Sequence, residues 1–226
     1  MRKKIITKIS EGLGNQLFMY ANSYSLSKQN NFDYYIDILS GYYHKKHIHN
    51  FVLDRFAISA IKASKEFSFD NPYKNLLKKI LIFFDRFSKN KKFYFENKDS
   101  KKLSKYSPMN LNETYNHFFI DGNFESEKYF IDYRDDLLNE FDILDKDRFY
   151  DNKYLDIIKN NNVVSICVRQ NRFSERINNK YSSSNVDKSF LFVKETIDYI
   201  NKAIEYFDKR IDNPKYLVWS NDFVNL

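Results

Sequence analysis

Glu11-Gly12-Leu13-Gly14-Asn15-Gln16-Leu17-Phe18-Met19-Tyr20-Ala21 decides how this 226-residue chain is read, because two of its four glycines fall there. Upstream, Ile5, Thr7 and Ile9 alternate with Ile6 and Lys8 as in a short strand. Downstream, a run with helical character extends from Gln16 to about Lys28. A strand, a glycine-bearing turn and a helix start open a βα unit. Unpaired backbone N–H groups then lie at the C-terminal tip of a strand, where anions and sugar nucleotides bind. Glycines in such a turn can also serve only to tighten it.

Working outward, Phe32 to Ile38 reads as a second strand with Tyr34, Ile36 and Ile38 on one face. The loop opened by Gly41-Tyr42-Tyr43 carries His44, His47 and His49, without the cysteine or in-register carboxylate that would favour a metal, so none is expected. Phe51 to Phe56 returns to ordered structure. Between residues 74 and 92, Leu76, Leu77, Ile80, Leu81, Phe83, Phe84 and Phe87 recur at helical spacing among Lys74, Lys78, Lys79 and Arg86. The simpler expectation is an amphipathic helix with its apolar side in the core. The other is an interfacial helix in peripheral contact with an anionic membrane. His117 to Ile120 looks like a strand ending at Asp121-Gly122. Ser126 is then expected to cap a helix from Glu127 to Phe141, with Tyr129, Tyr133, Leu137 and Phe141 on one face.

The Asp/Asn/Lys-rich segment Asp145–Lys153 is the best boundary, giving an N-terminal α/β domain over 1–150 and a second domain over 151–226. In the latter, Val163 to Val168 reads as a buried parallel strand, followed by a polar segment. A helix carrying Val193, Ile197, Ile200, Ile204 and Phe207 comes next, then Asn213-Pro214 and a strand at Tyr216–Trp219. This βαβ unit predicts parallel strands with a right-handed crossover.

Composition narrows the function. Hydrophobic residues at 42% and charged residues at 30% suit a soluble domain with a real core. No apolar run approaches the roughly 20 residues of a membrane span, and the apolar stretch behind Met1-Arg2-Lys3-Lys4 is too short for a secretory signal. The single Cys167 excludes an internal disulfide framework and fits a reducing cytoplasm. A net charge of +7 attracts phosphates or anionic surfaces. The cations are scattered and no nucleic-acid-binding motif appears, so no nucleic-acid partner is expected.

Three places carry chemistry: the Gly12/Gly14 turn, the loop with Arg169, Arg172, Glu175 and Arg176, and Ser220-Asn221-Asp222. All follow strands, at the edge where α/β proteins bind ligands. Arginines at a strand tip suit a diphosphate, because guanidinium engages phosphate oxygens in a planar fork.

The opening stretch closely resembles the G-G-L-G-N-Q-[LM]-F-x-Y-A motif of the α-1,2-fucosyltransferases of glycosyltransferase family 11. The resemblance continues at Leu53-Asp54-Arg55-Phe56 and at Asp121-Gly122-Asn123-Phe124-Glu125-Ser126-Glu127-Lys128-Tyr129-Phe130, which is similar to the family's G-Y-x-Q-S-E-K-Y-F. Ser220-Asn221-Asp222 is similar to its S-D-D. Two departures stand out. The H-x-R-R-x-D motif falls on Cys167-Val168-Arg169-Gln170-Asn171-Arg172, keeping only Arg169, and Leu226 precedes the family's N-S-S-F-S-W-W-like segment.

The resemblance implies a GT-B-like α/β fold, two Rossmann-like domains facing a cleft, the C-terminal one incomplete. It implies an inverting, metal-independent enzyme without cofactor, moving fucose from GDP-fucose to a galactose-containing acceptor glycan during lipopolysaccharide-type surface glycan synthesis in the cytoplasm. Arg169, supported by Arg172, is expected on the β-phosphate, with Ser220 or Asp222 near the nucleoside. Gly12, Gly14, Asn15 and Gln16 are expected to line donor and acceptor. Glu11 stands where most of the family has glycine and is the expected base, with Glu175 the alternative. Two other readings remain: a truncated, inactive glycan-binding remnant, and a basic membrane-surface module built on residues 74–92.

Overall fold

The computed structural model describes residues 2–43, 49–97, 105–111, 114–146, 153–170 and 183–223, with backbone alone for 153 and 183–185. The chain packs as two units, Met1–Asp145 and Lys146–Leu226, each with its own parallel sheet.

In the first unit, Lys4–Lys8 (β1) buries Ile5, Ile6 and Thr7 and continues through a tight turn into the helix Leu13–Asn30 (α1). That helix is buried nearly all round from Met19 to Ser27. Its serines and alanine let it lie close on the sheet, and Ser27 satisfies its own hydroxyl by donating to the Tyr24 carbonyl at 2.7 Å. Asn31 ends it in the left-handed region at φ 54°, its N–H returning to the Lys28 carbonyl. The strand Asp33–Asp37 (β2) then runs parallel to β1, with Ile5 opposite Tyr34 and Thr7 opposite Ile36.

Three further strands complete this sheet: Ile61–Lys62 (β3), Phe93–Phe95 (β4) and His117–Asp121 (β5), in the order β3-β2-β1-β5-β4, with every pairing parallel. Between β3 and β4 lies the helix Pro72–Asp85 (α2), shorter than the apolar spacing predicted. An all-parallel sheet places all its strand C-termini, and the loops that follow them, along one edge. The core gathers Ile5, Ile9, Tyr20, Ile36, Leu53, Ile120 and Phe124.

The helix expected over 127–141 is interrupted. Two 3₁₀ turns, Glu127–Tyr129 and Ile131–Tyr133, precede a short helix Arg134–Glu140 (α3), and the Ser126 hydroxyl does not cap. Tyr129 is held by the neighbouring segment, its hydroxyl donating to the Lys105 carbonyl at 3.2 Å and accepting from the Ser107 N–H at 3.1 Å. Phe141 packs instead on Tyr20, ring centroids 5.6 Å apart. A break in the helix lets both contacts form. Glu140 fastens α3 down, accepting from the Tyr20 hydroxyl at 2.5 Å and from the N–H and hydroxyl of Ser59 at 2.6 Å each. Burial first, and then the Glu140 carboxylate, hold the Tyr20 phenol well above its ordinary pKa.

In the second unit, the helix Lys153–Asn160 (α4) leads to Val163–Val168 (β6), and the helix Ser183–Asp208 (α5) leads to Lys215–Ser220 (β7). β6 and β7 are parallel, Val163 opposite Lys215 through Val168 opposite Ser220. β6 is less buried than its sequence predicts: Ser165 and Cys167 are exposed, because the sheet has two strands among the described residues and only one helix connecting them.

Candidate functional site

The C-terminal edge of the larger sheet collects the loops after β1, β2, β4 and β5. Its centre is the turn at Glu11. Neither glycine of that turn has positive φ; the left-handed residue is Glu11 itself, at φ 63°. Gly12 is the N-cap of α1 with extended backbone (φ −77°, ψ 171°) and offers no side-chain cap. A Cβ on Gly12 would come within 3.6 Å of the His49 imidazole, and one on Gly14 would meet nothing within 4 Å. The first-turn N–H groups of α1 thus lie at an exposed Gly14 and a half-buried Asn15.

Gln16 does not take the position expected of a ligand contact. It is fully buried, donating from Nε2 to the carbonyls of Glu11 (2.9 Å) and Asn50 (2.8 Å) and accepting the Val52 N–H at Oε1 (3.1 Å). Both its donors are engaged by the protein, so it clamps the turn to the segment 50–52. This side-chain role corrects the sequence expectation for Gln16.

Two residues beside the turn, Tyr42 and His49, have no sign in the local sequence around Glu11. Tyr42 donates its hydroxyl to the Glu11 carbonyl at 3.4 Å. Burial, then the nearby Glu11 carboxylate, raise its pKa, so the phenol stays protonated. His49, which the sequence offers only within a histidine trio, stands against Gly12, while His44 and His47 lie outside the described residues. No sequence spacing links position 49 to position 12, so only the fold reveals the contact.

The glycines whose lack of a side chain is structurally required are elsewhere. A Cβ on Gly41 would sit 2.1 Å from the Ile9 carbonyl oxygen, and one on Gly122 would sit 2.4 Å from the Glu96 Cβ. Next to Gly122, Phe124 also has positive φ, 55°, and is held there by the Glu96 carboxylate, which accepts the N–H groups of Asn123 (3.0 Å) and Phe124 (2.8 Å). Beside it at the end of β5, Asp121 lies between Lys8 (2.5 Å) and Lys78 (2.8 Å). Burial alone would raise the Asp121 carboxyl, but the two ammonium groups outweigh it and hold it below the usual carboxylate range.

The second unit has its own strand-tip cluster. Gln170 follows β6, its N–H donating to the Asn221 side-chain oxygen (2.7 Å) and its side chain donating to the Asp222 carbonyl (2.7 Å). Asn221 returns a bond to the Gln170 carbonyl at 3.1 Å. Where the resembled motif carries a second arginine, this chain ties the tips of β6 and β7 together. The Ser220 hydroxyl donates to the Asp222 carbonyl and accepts the Asp222 N–H at 3.1 Å, so its side chain shapes the turn. Arg169 is exposed at the tip of β6. Arg172 and Glu175 lie outside the described residues.

No family model matches the chain. It is similar to an alpha-1,2-colitosyltransferase of Escherichia coli, 26% identical over 221 residues that cover 96% of this chain and 69% of that protein. It superposes on the crystal structure of the fucosyltransferase NodZ from Bradyrhizobium with a TM-score of 0.54 and 13% identity, covering 98% of this chain and 72% of that one. The chain therefore has the α/β, GT-B-like fold of that fucosyltransferase, and its sequence is similar to that of a glycosyltransferase.

Proposed function

We propose that the chain is an inverting, metal-independent fucosyltransferase that moves fucose from GDP-fucose to a galactoside hydroxyl of a surface glycan, forming an α-1,2 linkage. The observation that carries this reading is the Glu11 turn. An acid is held in a strained conformation beside an open helix N-terminus at a strand tip, in a chain similar over nearly its whole length to a sugar transferase.

Inversion needs one displacement. Glu11 takes the proton of the acceptor hydroxyl as that oxygen bonds to the anomeric carbon, and the bond from that carbon to the diphosphate oxygen breaks with its electron pair. Arg169, with Arg172, receives the charge developing on the β-phosphate. Gly12, Gly14 and Asn15 line the sugar side, Ser220 and Asp222 support the nucleoside side through their turn, and Glu175 is the alternative base.

Titration calorimetry of the full chain with GDP tests the donor half: micromolar affinity is expected, and Arg169→Ala should weaken it by on the order of tenfold to a hundredfold. Absence of GDP binding by the folded protein overturns the reading. GDP release with a galactoside acceptor tests the transfer itself. The similar E. coli protein is named for colitose, so the assay runs with both GDP-fucose and GDP-colitose.

A further inference from the structure

α2 is mounted with its polar side toward the protein. Asn71 caps it by accepting the Lys74 N–H at 2.9 Å, and Pro72 opens its first turn. On the domain-facing side Lys74 pairs with Asp70 at 3.0 Å, Asn75 donates to the Tyr43 hydroxyl, and Lys78 reaches Asp121 at 2.8 Å. Asp85 accepts the N–H groups of Lys92 (2.9 Å) and Phe93 (3.2 Å). The opposite side presents Tyr73, Leu76, Ile80, Phe83, Phe84 and Phe87, all exposed, Phe87 and Tyr73 at 78%. No residue of the helix is buried. The expectation of a core-facing apolar stripe is thus reversed, since the charges that would normally face water make the contacts to the domain.

Charge points to what covers this side. From Pro72 to Lys92 there are seven cations and one acid, Asp85; with Lys74 and Lys78 paired to Asp70 and Asp121, an excess of four positive charges remains along the segment. Lys79 and Arg86, two turns apart, edge the apolar stripe, and Lys89 follows; all three are exposed. A second copy of the chain would set this positive field against itself. An anionic lipid surface complements both features, accepting the rings between acyl chains and the cations at phosphate level. The helix has 14 residues, about 21 Å of length, and among the described residues no helix is long and apolar enough to cross a membrane. We propose that α2 lies in the plane of an anionic bilayer surface, with Phe83, Phe84 and Phe87 inserted and Lys79, Arg86 and Lys89 at the headgroups.

Co-sedimentation of the full chain with vesicles tests this. The protein is expected to pellet with vesicles containing phosphatidylglycerol and to remain in solution with pure phosphatidylcholine, with binding falling as salt rises. Replacing Lys79, Arg86 and Lys89 by Gln should weaken partitioning on the order of a hundredfold, at roughly fivefold per cation. Replacing Phe83, Phe84 and Phe87 by Ser should abolish it, while far-UV circular dichroism stays unchanged because these side chains are exposed. Failure to pellet with either vesicle overturns the proposal, as does equal pelleting of the wild type and both variants. So does a dimer in sedimentation velocity that the Ser variant dissociates, since a second copy would then cover the face.

Discussion

Gln16→Leu separates a structural clamp from a ligand contact. The substitution keeps the side chain's bulk and removes its polar atoms, so the carbonyls of Glu11 and Asn50 and the N–H of Val52 lose partners now at 2.9, 2.8 and 3.1 Å. At about 1 kcal/mol net for each bond the loss is about 3 kcal/mol, and the more favourable transfer of leucine offsets about 1 kcal/mol of it. A net destabilisation of about 2 kcal/mol is expected, which for a unit of this size moves the urea midpoint down by about 1 M. The assay is urea unfolding followed by far-UV circular dichroism, read on the transition of the first unit. GDP affinity should change little in the folded variant. A midpoint unchanged within about 0.2 M, together with lost acceptor or donor binding, would return Gln16 to the ligand and refute the clamp.

Other substitutions test the same edge. Gly14→Ala places a Cβ in open space within a helix and should stabilise the protein by about 0.5 kcal/mol, whereas Gly41→Ala drives a Cβ onto the Ile9 carbonyl and should cost about 3 kcal/mol or prevent folding; thermal melts distinguish the two. Glu11→Gly should unfold at higher urea than Glu11→Ala by about 1 kcal/mol, because only glycine relieves the φ of 63°, while Glu11→Gln should slow transfer on the order of a hundredfold or more if Glu11 is the base. Asp121 has a folded pKa below its unfolded one, so its contribution is present above pH of about 4 and is lost as pH falls further. An acid titration of stability should therefore be flatter for Asp121→Asn, and an unchanged acid limb would count against the Lys8–Asp121–Lys78 assignment.

Much of the scaffold was legible because it is periodic. Alternation at Ile5–Ile9 and at Tyr34 and Ile36 marks β1 and β2, and the 4-and-3 spacing from Val193 to Phe207 marks α5, since a strand or helix exposes its period directly in the chain. What periodicity cannot carry is direction. The stripe from Leu76 to Phe87 shows that α2 has an apolar side, but whether that side meets the core depends on Tyr43 and Asp121, far away in sequence. The interrupted helix over 127–140 fails to show for a related reason: the anchors of Tyr129 lie at 105 and 107. The candidate site divides the same way. Glu11, Asn15 and Arg169 are proposed from local motifs, while His49 against Gly12 and Glu96 beneath Gly122 are long-range contacts with no local sign.

The distribution of backbone strain gives the turn at Glu11 its meaning. Among the described residues, four that are not glycine have positive φ: Glu11, Asn31, Phe124 and Asn213. The two asparagines are of a type that tolerates the left-handed region, and Asn31 simply ends a helix. Glu11 and Phe124 are not of that type, and each costs roughly 1 kcal/mol or more relative to glycine. They follow β1 and β5, which are adjacent and parallel, so the strain concentrates at one edge of one sheet. Each is over-determined by a buried or partly buried side chain that holds its peptide: Gln16 on the Glu11 carbonyl, Glu96 on the Phe124 N–H. For Phe124 the packing of a fully buried ring accounts for the cost. Glu11 has no such packing account, since its half-buried carboxylate would be replaced at no loss of core by the glycine that suits its φ. A strained acid outside the core at this edge is what the proposed role of Glu11 as base requires, and it is the observation on which that proposal rests.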